Sequence, residues 1–260
     1  MGPEPNPGVC RYCGSPAPAI PLTRGRWLPT DECRACNEVR IAAWDAQNRR
    51  ERVESLWAIS GLPPEAKNVS TEILDAQRYR DRQGRAWDLV ASWPPPSPDA
   101  WRAPWFFGPI GTGKTALAYC LARRVMEEFE QPVFFVGVAE LLRRQRASFG
   151  NKAEDQDLLE RAVGAGFLVL DDLGGQAMTP WVLDSLFGLI DARLKAQKTT
   201  LITSNYGPDA LGKILEIKER PELSQTANAL ADRVLALTIP CRLQGESIRL
   251  EQAIERAKAC

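Results

Sequence analysis

The chain has 260 residues, of which 44% are hydrophobic and 25% are charged, and this composition is typical of a globular protein. Its 33 basic and 33 acidic residues give a formal net charge of zero, so no overall positive field attracts nucleic acid. The sequence contains no histidine. This absence excludes Ser-His-Asp and Cys-His catalysis, His-ligated haem and mixed Cys/His zinc fingers. A zinc site must use thiolates or carboxylates, and a proton acceptor must be a carboxylate, Lys, Tyr or Cys.

Signals that direct a chain to a membrane or out of the cell are not evident in the sequence. Residues 1–6 lack both the basic and the apolar region of a secretory signal. No apolar run approaches the length of about 18 residues at which a helix can span a bilayer. We therefore expect a cytoplasmic protein without a membrane partner, in which the seven cysteines do not form a disulfide framework.

Two cysteine pairs stand near the beginning of the chain. Cys10 and Cys13 form one C-x2-C motif, Cys33 and Cys36 form another, and 19 residues separate the two motifs. This spacing is typical of a tetrahedral zinc site with four thiolates. A closed shell of this kind predicts a structural Zn²⁺ ion that supplies much of the folding energy of a small, proline-rich module over residues 1–38. Incidental cysteines and a dithiol redox motif are the alternatives.

The next segment, residues 39–100, is predicted to be a helical and proline-rich connector. A helical pattern covers residues 37–60. The run from Pro94 to Pro98 cannot form a helix or a central strand, and we interpret it as an exposed spacer.

Residues 101–260 show short apolar runs that alternate with helical patterns, which predicts a parallel sheet flanked by helices. The predicted strands are residues 105–107, 133–138, 167–170 and 199–203, with a possible fifth at 237–241. The predicted helices are residues 114–129, 139–149, 155–164, 180–197 and 226–236. The predicted fold class is therefore α/β, and the small cysteine module precedes this domain in the sequence.

A glycine-rich loop follows the first predicted strand. It consists of Gly108, Pro109, Ile110, Gly111, Thr112, Gly113, Lys114 and Thr115, and it matches the G-x-x-x-x-G-K-[ST] pattern at every fixed position. The glycines let backbone N–H groups curl around a triphosphate, and the following helix directs its positive end at the phosphates. We predict that these eight residues and Ala116 bind ATP, that Lys114 contacts the β- and γ-phosphates, and that Thr115 contacts Mg²⁺.

Two adjacent carboxylates end the apolar run of residues 167–170. Asp171 and Asp172 would repel each other at a strand end unless a cation or water holds them. We expect Asp171 to partner Mg²⁺ through water and Asp172 to act as the base, or to position the water, for attack on the γ-phosphate. An ordinary solvated strand end is the alternative.

Two later motifs are less specific. The strand predicted at residues 199–203 is followed by Ser204 and Asn205, and Asn205 could contact the γ-phosphate or its attacking water, although a simple turn is also typical here. Arg233 lies in a predicted helix. It could be an arginine finger that acts on the nucleotide of a neighbouring subunit, or a surface residue paired with a carboxylate.

In order, these motifs resemble the AAA+ ATPases of the DnaC/IstB group, which contains helicase loaders and the ATP-binding helper proteins of transposons. The resemblance covers roughly residues 56–250. It is carried by the segments GPIGTGKT, FLVLDDLG, TTLITSN, LADRV and GESIR, and also by Gly61-Leu62-Pro63-Pro64 and Glu140-Leu141-Leu142.

The resemblance implies a P-loop NTPase fold of the AAA+ type, with Lys114 and Thr115 on phosphate and Mg²⁺, Asp171 and Asp172 as the acidic pair, Asn205 as a sensor and Arg233 as a trans-acting finger. Asp172 stands where AAA+ proteins generally have glutamate. The residues after Thr238 are too few for a helical lid domain. The resemblance also offers Arg249 as a second sensor, a role that the sequence does not decide.

The resulting hypothesis is an ATP-hydrolysing helicase loader of DNA replication, slow or partner-stimulated, that self-associates through its ATPase interface. Its expected partners are a replicative DNA helicase, held by the cysteine module, and single-stranded DNA, contacted by the α/β domain. The arginines and aromatics of the cysteine module suit either single-stranded nucleic acid or a protein surface on a helicase. One alternative is an IstB-like transposition helper that recruits a transposase to double-stranded DNA. Another is a nucleotide-dependent adaptor with little hydrolysis. An unrelated zinc-ribbon nucleic-acid binder with a decayed ATPase ranks last.

Overall fold

The computed structural model describes residues 6–21, 26–69, 79–94, 100–148 and 156–259. The chain forms two compact units, Met1–Ser55 and Leu56–Cys260. The boundary falls inside one helix, so the predicted connector, residues 39–100, is divided between the units. Of the predicted proline spacer, residues 95–98 lie outside the described part of the chain.

The first unit is built from two small hairpins and a helix. Strands β1 (Gly8–Val9) and β2 (Pro16–Ala17) pair antiparallel, as do β3 (Ala19–Pro21) and β4 (Trp27–Pro29). Helix α1 (Arg34–Ile59) begins in this unit, and none of its side chains is buried. The buried hydrophobic side chains described for the unit are those of Cys10, Ala17 and Cys33. A core of this size cannot hold a fold by apolar burial alone.

The second unit contains a sheet whose five strands are all parallel. They are β5 (Ala103–Phe107), β6 (Val133–Gly137), β7 (Phe167–Leu173), β8 (Thr199–Ser204) and β9 (Thr238–Arg242). The spatial order is β6-β7-β8-β5-β9, so the strand before the glycine-rich loop and the strand with the acidic pair both flank β8. The predicted parallel sheet is confirmed. β7 differs from its prediction because it continues past Leu170 through both aspartates.

Helices cover both faces of the sheet. They are α2 (Tyr79–Ala91), α3 (Lys114–Glu127), α4 (Val138–Ser148), α5 (Gln156–Gly164), α6 (Pro180–Lys195), α7 (Pro208–Leu215), α8 (Ser224–Leu237) and α9 (Ile248–Ala259), with 3₁₀ turns at Pro64–Asn68 and Pro221–Leu223. Successive strand residues point to opposite faces. Leu168 and Ile202 therefore pack in a cluster with α6 and α8, whereas Val169 and Leu201 pack in another with α2 and α3. Among the described residues, no helix is long and apolar enough to cross a membrane.

A buried arginine ties the amino-terminal edge of this sheet together. Arg193, near the end of α6, has no exposed surface. Its Nε donates to Thr200 Oγ1 (2.8 Å), its Nη1 donates to the carbonyls of Ala162 (2.6 Å) and Ala165 (2.8 Å), and its Nη2 donates to the carbonyl of Thr199 (2.6 Å). Burial lowers its pKa to about 10, so the guanidinium stays charged at neutral pH. The side chain thus joins α6 to the beginnings of β7 and β8.

Candidate functional site

The glycine-rich loop lies between β5 and α3, and the segment after β9 packs against it. Gly108 and Gly111 have φ angles of 144° and 83°. A Cβ on Gly108 would lie 2.2 Å from the carbonyl oxygen of Leu243, and one on Gly111 would lie 2.1 Å from Ser247 Oγ. The amide of Ile248 donates to the carbonyl of Gly111 (3.0 Å). Both positions therefore need glycine for space as well as for backbone conformation.

Lys114 holds the loop in its curved shape. It is the first residue of α3, it is buried, and its Nζ donates to the carbonyls of Gly108 (2.9 Å) and Pro109 (2.8 Å). Burial lowers the pKa of Lys114, and the nearby charge of Arg249 acts in the same direction, whereas Asp172 and Asp171 oppose the shift. The loop therefore places a desolvated ammonium group at the positive end of a helix, where an anion is favoured.

Asp171 and Thr115 come together from different elements. The Asp171 carboxylate accepts from Thr115 Oγ1 (3.0 Å) and from Thr203 Oγ1 (2.6 Å) through the same oxygen, Oδ1. Burial raises the pKa of Asp171, and the hydrogen bonds from Thr203 and Thr115 oppose that shift. A hydroxyl and a carboxylate next to a phosphate loop are suitable ligands for a small, hard cation such as Mg²⁺.

Asp172 has an unusual backbone conformation. Its φ angle is 61°, which is uncommon outside glycine, and a break in the β7–β8 register lies between Leu170 and Leu173. Its exposed carboxylate lies against Gly175, where a Cβ would be 2.3 Å from Oδ2. Asn205 Nδ2 donates to Asp172 Oδ1 (3.3 Å). The structure thus brings Asn205 to the acidic pair, and it directs one carboxylate of that pair toward solvent.

Thr203 is the residue at this site that sequence reasoning missed. Its hydroxyl lies between the two aspartates, since it donates to Asp171 Oδ1 and accepts from the amide of Asp172 (2.9 Å). The polar end of the predicted strand was the available signal, but that pattern favoured Asn205.

Arg233 contacts residues other than those of the glycine-rich loop and the acidic pair. It lies on α8, and its Nε donates to Asp191 Oδ1 (2.8 Å) on α6. Its Cζ lies 4.4 Å from the centre of the Phe187 ring, and its Nη1 donates to the carbonyl of Ala229 (3.2 Å). The hydrogen bond from Arg233, with help from Lys195, lowers the pKa of Asp191. The contacts found for Arg233 in the described part of the chain thus involve α6 and α8.

The cysteine cluster has the shape of a metal site. The sulfur atoms of Cys10, Cys13, Cys33 and Cys36 all lie within 4.8 Å of one another, and Cys13 Sγ is 3.5 Å from Cys33 Sγ. In a tetrahedral site with Zn–S bonds of 2.3 Å, neighbouring sulfurs are about 3.8 Å apart. Each motif also closes a tight turn, in which the amide of Gly14 donates to the carbonyl of Cys10 (2.9 Å) and the amide of Asn37 to that of Cys33 (3.0 Å).

The environment of the cluster shifts the pKa values of its thiols in different directions. A backbone hydrogen bond at Cys33 lowers the pKa of Cys10 to about 6. Hydrogen bonds with Ser15 lower the pKa of Cys13. Hydrogen bonds with Cys13 and Cys33 raise the pKa of Cys36, because a further negative charge among thiolates is unfavourable. The four residues are therefore compatible with zinc, whose positive charge would stabilise all four thiolates.

Comparison with known proteins gives the family. Residues 105–256, more than half of the chain, match the model for IstB-like ATP binding protein. The chain belongs to this family. The expected relationship to AAA+ ATPases of the DnaC/IstB group is thereby confirmed, and ATP binding is the property that the family name carries.

Individual relatives agree with this assignment. The chain is 33% identical over 150 residues to the replicative helicase loader DnaI of Bacillus subtilis (strain 168), a match that covers 56% of this chain and 47% of DnaI. The chain thus spans about half the length of that relative. It is 25% identical over 195 residues to the uncharacterized protein YdaV of Escherichia coli (strain K12), covering 73% of each.

Solved structures show the same fold. A DnaI structure aligns with a TM-score of 0.55 at 22% identity and covers 71% of this chain and 96% of its own. The DnaC helicase loader aligns with a TM-score of 0.50 at 20% identity, covering 64% and 99%. AMPPCP-bound DnaA from Aquifex aeolicus aligns with a TM-score of 0.54 at 15% identity, covering 77% and 57%. The predicted P-loop NTPase fold is confirmed.

Proposed function

We propose that this protein is an ATP-binding and ATP-hydrolysing helicase loader-like protein that acts in DNA replication and binds a replicative helicase and single-stranded DNA. The observation that carries the proposal is the convergence of Lys114, Thr115, Asp171 and Asp172 at the carboxyl ends of β5 and β7. Two segments that are distant in sequence, the loop with the start of α3 and the end of β7, thus supply a phosphate loop, two residues for a cation and a solvent-facing carboxylate.

Residues of the loop and of α3 bind the nucleotide. The backbone N–H groups of the loop, which Pro109 does not have, and the Lys114 ammonium contact the phosphates. Lys114 thus exchanges its bonds to the carbonyls of Gly108 and Pro109 for phosphate oxygens. Thr115 and Asp171 would hold Mg²⁺, Asp171 through water. When bound, this ion neutralises charge on the phosphates.

Asp172 activates the attacking water, and Asn205 positions Asp172. The water attacks the γ-phosphorus, ADP leaves, and Asp172 accepts the proton that the water releases. Asn205 holds Asp172 Oδ1 and keeps its carboxylate at the strand end. The chain contains no histidine for this role, and the exposed carboxylate of Asp172 takes it. Since aspartate is shorter than glutamate, we propose that hydrolysis is slow or stimulated by a partner.

Arg233 acts on the nucleotide of a neighbouring subunit. Its side chain is 30% exposed and is held by Asp191 and Phe187, so it is available at a surface of the ATPase unit. A guanidinium that neutralises transition-state charge from an adjacent molecule explains why the chain would self-associate through its ATPase interface.

The cysteine module binds the helicase. Zn²⁺ held by the four cysteines stabilises this module, on which Ile20 and Leu28 form a directly opposed cross-strand pair. Each side chain is 49% exposed. An exposed apolar pair suits a surface that binds another protein. The names of the relatives DnaI and DnaC, both helicase loaders, support a replicative helicase as the partner.

A transposition helper that recruits a transposase to double-stranded DNA is the second candidate, because the matching family model carries the IstB name. A nucleotide-dependent adaptor with little hydrolysis is the third, and the aspartate at position 172 favours it.

Steady-state ATPase assays test the enzymatic proposal. Wild type should hydrolyse ATP in the presence of Mg²⁺, faster with single-stranded DNA, and Lys114→Ala and Asp172→Asn should each abolish turnover. Asp172→Asn should still bind ATP. Absence of magnesium-dependent turnover in wild type, with or without DNA, would support the adaptor.

Binding assays test the partners. A hexameric replicative helicase should co-purify with wild type, and Ile20→Ser/Leu28→Ser should lose it. Ile254→Ser, which changes a similarly exposed side chain in the ATPase unit, should retain it. Capture of a transposase instead, together with preference for double-stranded DNA, would favour the transposition helper.

A further inference from the structure

The acidic pair occupies a β-bulge in β7. Leu170 pairs with Ile202, and the register resumes at Leu173 opposite Ser204. Two residues of β7, Asp171 and Asp172, therefore face the single residue Thr203 of β8. Such a two-against-one arrangement interrupts the backbone ladder and redirects the side chains. Here it is accompanied by the left-handed backbone of Asp172.

The Thr203 hydroxyl replaces the missing backbone partner. It accepts a hydrogen bond from the Asp172 amide (2.9 Å) and donates one to Asp171 Oδ1 (2.6 Å). A hydroxyl has one proton and two lone pairs, so it can make both bonds at once. Thr203 is only 1% exposed, so neither bond competes with bulk water. One oxygen atom thus touches the side chain of one aspartate and the backbone of the other.

We propose that Thr203 is a positioning residue that sets the geometry of both carboxylates of the acidic pair. The proposal rests on the ATPase site described above. There Thr115 and Asp171 would hold Mg²⁺, Asp171 through water, and Thr203 donates the hydrogen bond that orients Asp171 without holding the ion itself. Because Thr203 also anchors the amide of Asp172, it fixes the backbone from which that carboxylate extends.

The side-chain type supports this role. A β-branched side chain in a strand has restricted χ1 freedom, so threonine holds its hydroxyl in one direction. Valine has nearly the same shape but can make neither bond, whereas serine keeps the hydroxyl on a freer side chain. Comparing Thr203→Val with Thr203→Ser therefore distinguishes the effect of the hydroxyl from the effect of the β-branched side-chain shape.

Thr200 provides a matched control on the same strand. It is also a buried threonine, and its hydroxyl accepts from Arg193 Nε (2.8 Å) and donates to the carbonyl of Lys198 (3.0 Å). Thr200→Val thus removes an equally buried hydroxyl and lowers stability without touching the acidic pair. It should leave the magnesium dependence of ATP hydrolysis unchanged.

The test measures three quantities for the full-length variants: ATPase rate against magnesium concentration, affinity for a fluorescent ADP analogue with and without magnesium, and melting temperature. Loss of the residue that orients a metal ligand commonly costs about 10- to 100-fold. We expect Thr203→Val to lose kcat on that scale and to need about tenfold more magnesium. Its affinity for the ADP analogue without magnesium should stay within about twofold of wild type, and Thr203→Ser should recover most of kcat.

The outcomes are separable. Thr203→Val with wild-type kcat and magnesium requirement overturns the proposal. So does a variant that loses nucleotide affinity equally with and without magnesium, because the role is then merely structural. If wild type hydrolyses no ATP, the proposed enzymatic function fails. The inference is then decided by nucleotide affinity, where magnesium should strengthen binding in wild type and in Thr200→Val but not in Thr203→Val.

Discussion

Mixing two inactive variants tests whether Arg233 acts between subunits. Lys114→Ala lacks the phosphate-binding cation but keeps Arg233, whereas Arg233→Ala keeps its own nucleotide site. If Arg233 acts on the nucleotide of a neighbouring subunit, one kind of interface in the mixture has every part that hydrolysis needs. In that interface an Arg233→Ala subunit provides the intact nucleotide site and a Lys114→Ala subunit provides the arginine. Each variant alone should be inactive, and the mixture should hydrolyse ATP.

The structure sets the expected magnitudes. The Arg233 guanidinium stacks on Phe187, a contact that contributes about 0.5–1 kcal/mol, and its partly exposed ion pair with Asp191 adds at most about 1 kcal/mol. Arg233→Ala should therefore remain folded. Arginine fingers supply about 10³–10⁵-fold in kcat in nucleotide hydrolases, so the variant should lose at least about 100-fold. In a random equimolar mixture, about a quarter of head-to-tail interfaces combine a complete site with an intact arginine.

The assay is ATP turnover at fixed total protein as the ratio of the two variants is changed. Activity should pass through a maximum near equal amounts, at about a quarter of the wild-type rate. Arg220→Ala, which breaks an exposed ion pair with Glu222, is the control and should keep wild-type turnover. A mixture that stays inactive while both variants are folded and associated refutes the trans role. Arg233 would then be a structural link between α8 and α6.

Three further predictions concern stability and metal content. Arg193→Met removes the donor to one buried carbonyl, that of Ala162, and to two partly buried carbonyls, those of Ala165 and Thr199. It should therefore lower the free energy of unfolding in urea by about 3–5 kcal/mol. Lys198→Met, which loses bonds to carbonyls of the same turn at a half-buried site, should cost less than about 1 kcal/mol, and equal losses would contradict the role given to Arg193. Elemental analysis should find about one zinc per chain in wild type and none in Cys36→Ser, and a well-folded wild type without zinc would exclude the four-cysteine site. Because Arg233 lowers the pKa of Asp191, this carboxylate stabilises the folded state above its ordinary pKa of 3.8 and loses that effect as the pH falls. Asp191→Asn should therefore melt below wild type at pH 7 but not near pH 2, and NMR titration should show a higher Asp191 pKa in Arg233→Ala.

The phosphate loop could be predicted from the sequence because its chemistry is local. Gly108, Lys114 and Thr115 lie within eight residues, and their spacing alone requires a strand, a tight loop and a helix. The cysteine motifs are local in the same sense, because each C-x2-C turn fixes two sulfurs. The parallel sheet followed from alternating apolar and helical periods, which record burial on both faces.

Contacts between elements could not be predicted in this way. Thr203 meets the acidic pair only because a bulge in β7 shifts its register against β8, and a register shift leaves no periodic signal. Arg193 occupies a position near a helix end where a cation usually faces solvent, and its burial depends on the turn packed over it. Arg233 matched a motif, but its partners Asp191 and Phe187 belong to another helix.

The missing histidine illustrates the same division. Composition alone limited a zinc site to thiolates or carboxylates and a proton acceptor to a carboxylate, Lys, Tyr or Cys, because no imidazole is available. Composition could not predict that the two aspartates have different environments. The sheet determines this difference, because Asp171 accepts hydrogen bonds from two hydroxyls while Asp172, in a left-handed conformation, faces solvent. Residue types determine which chemistry is possible, whereas strand register determines the direction of each side chain.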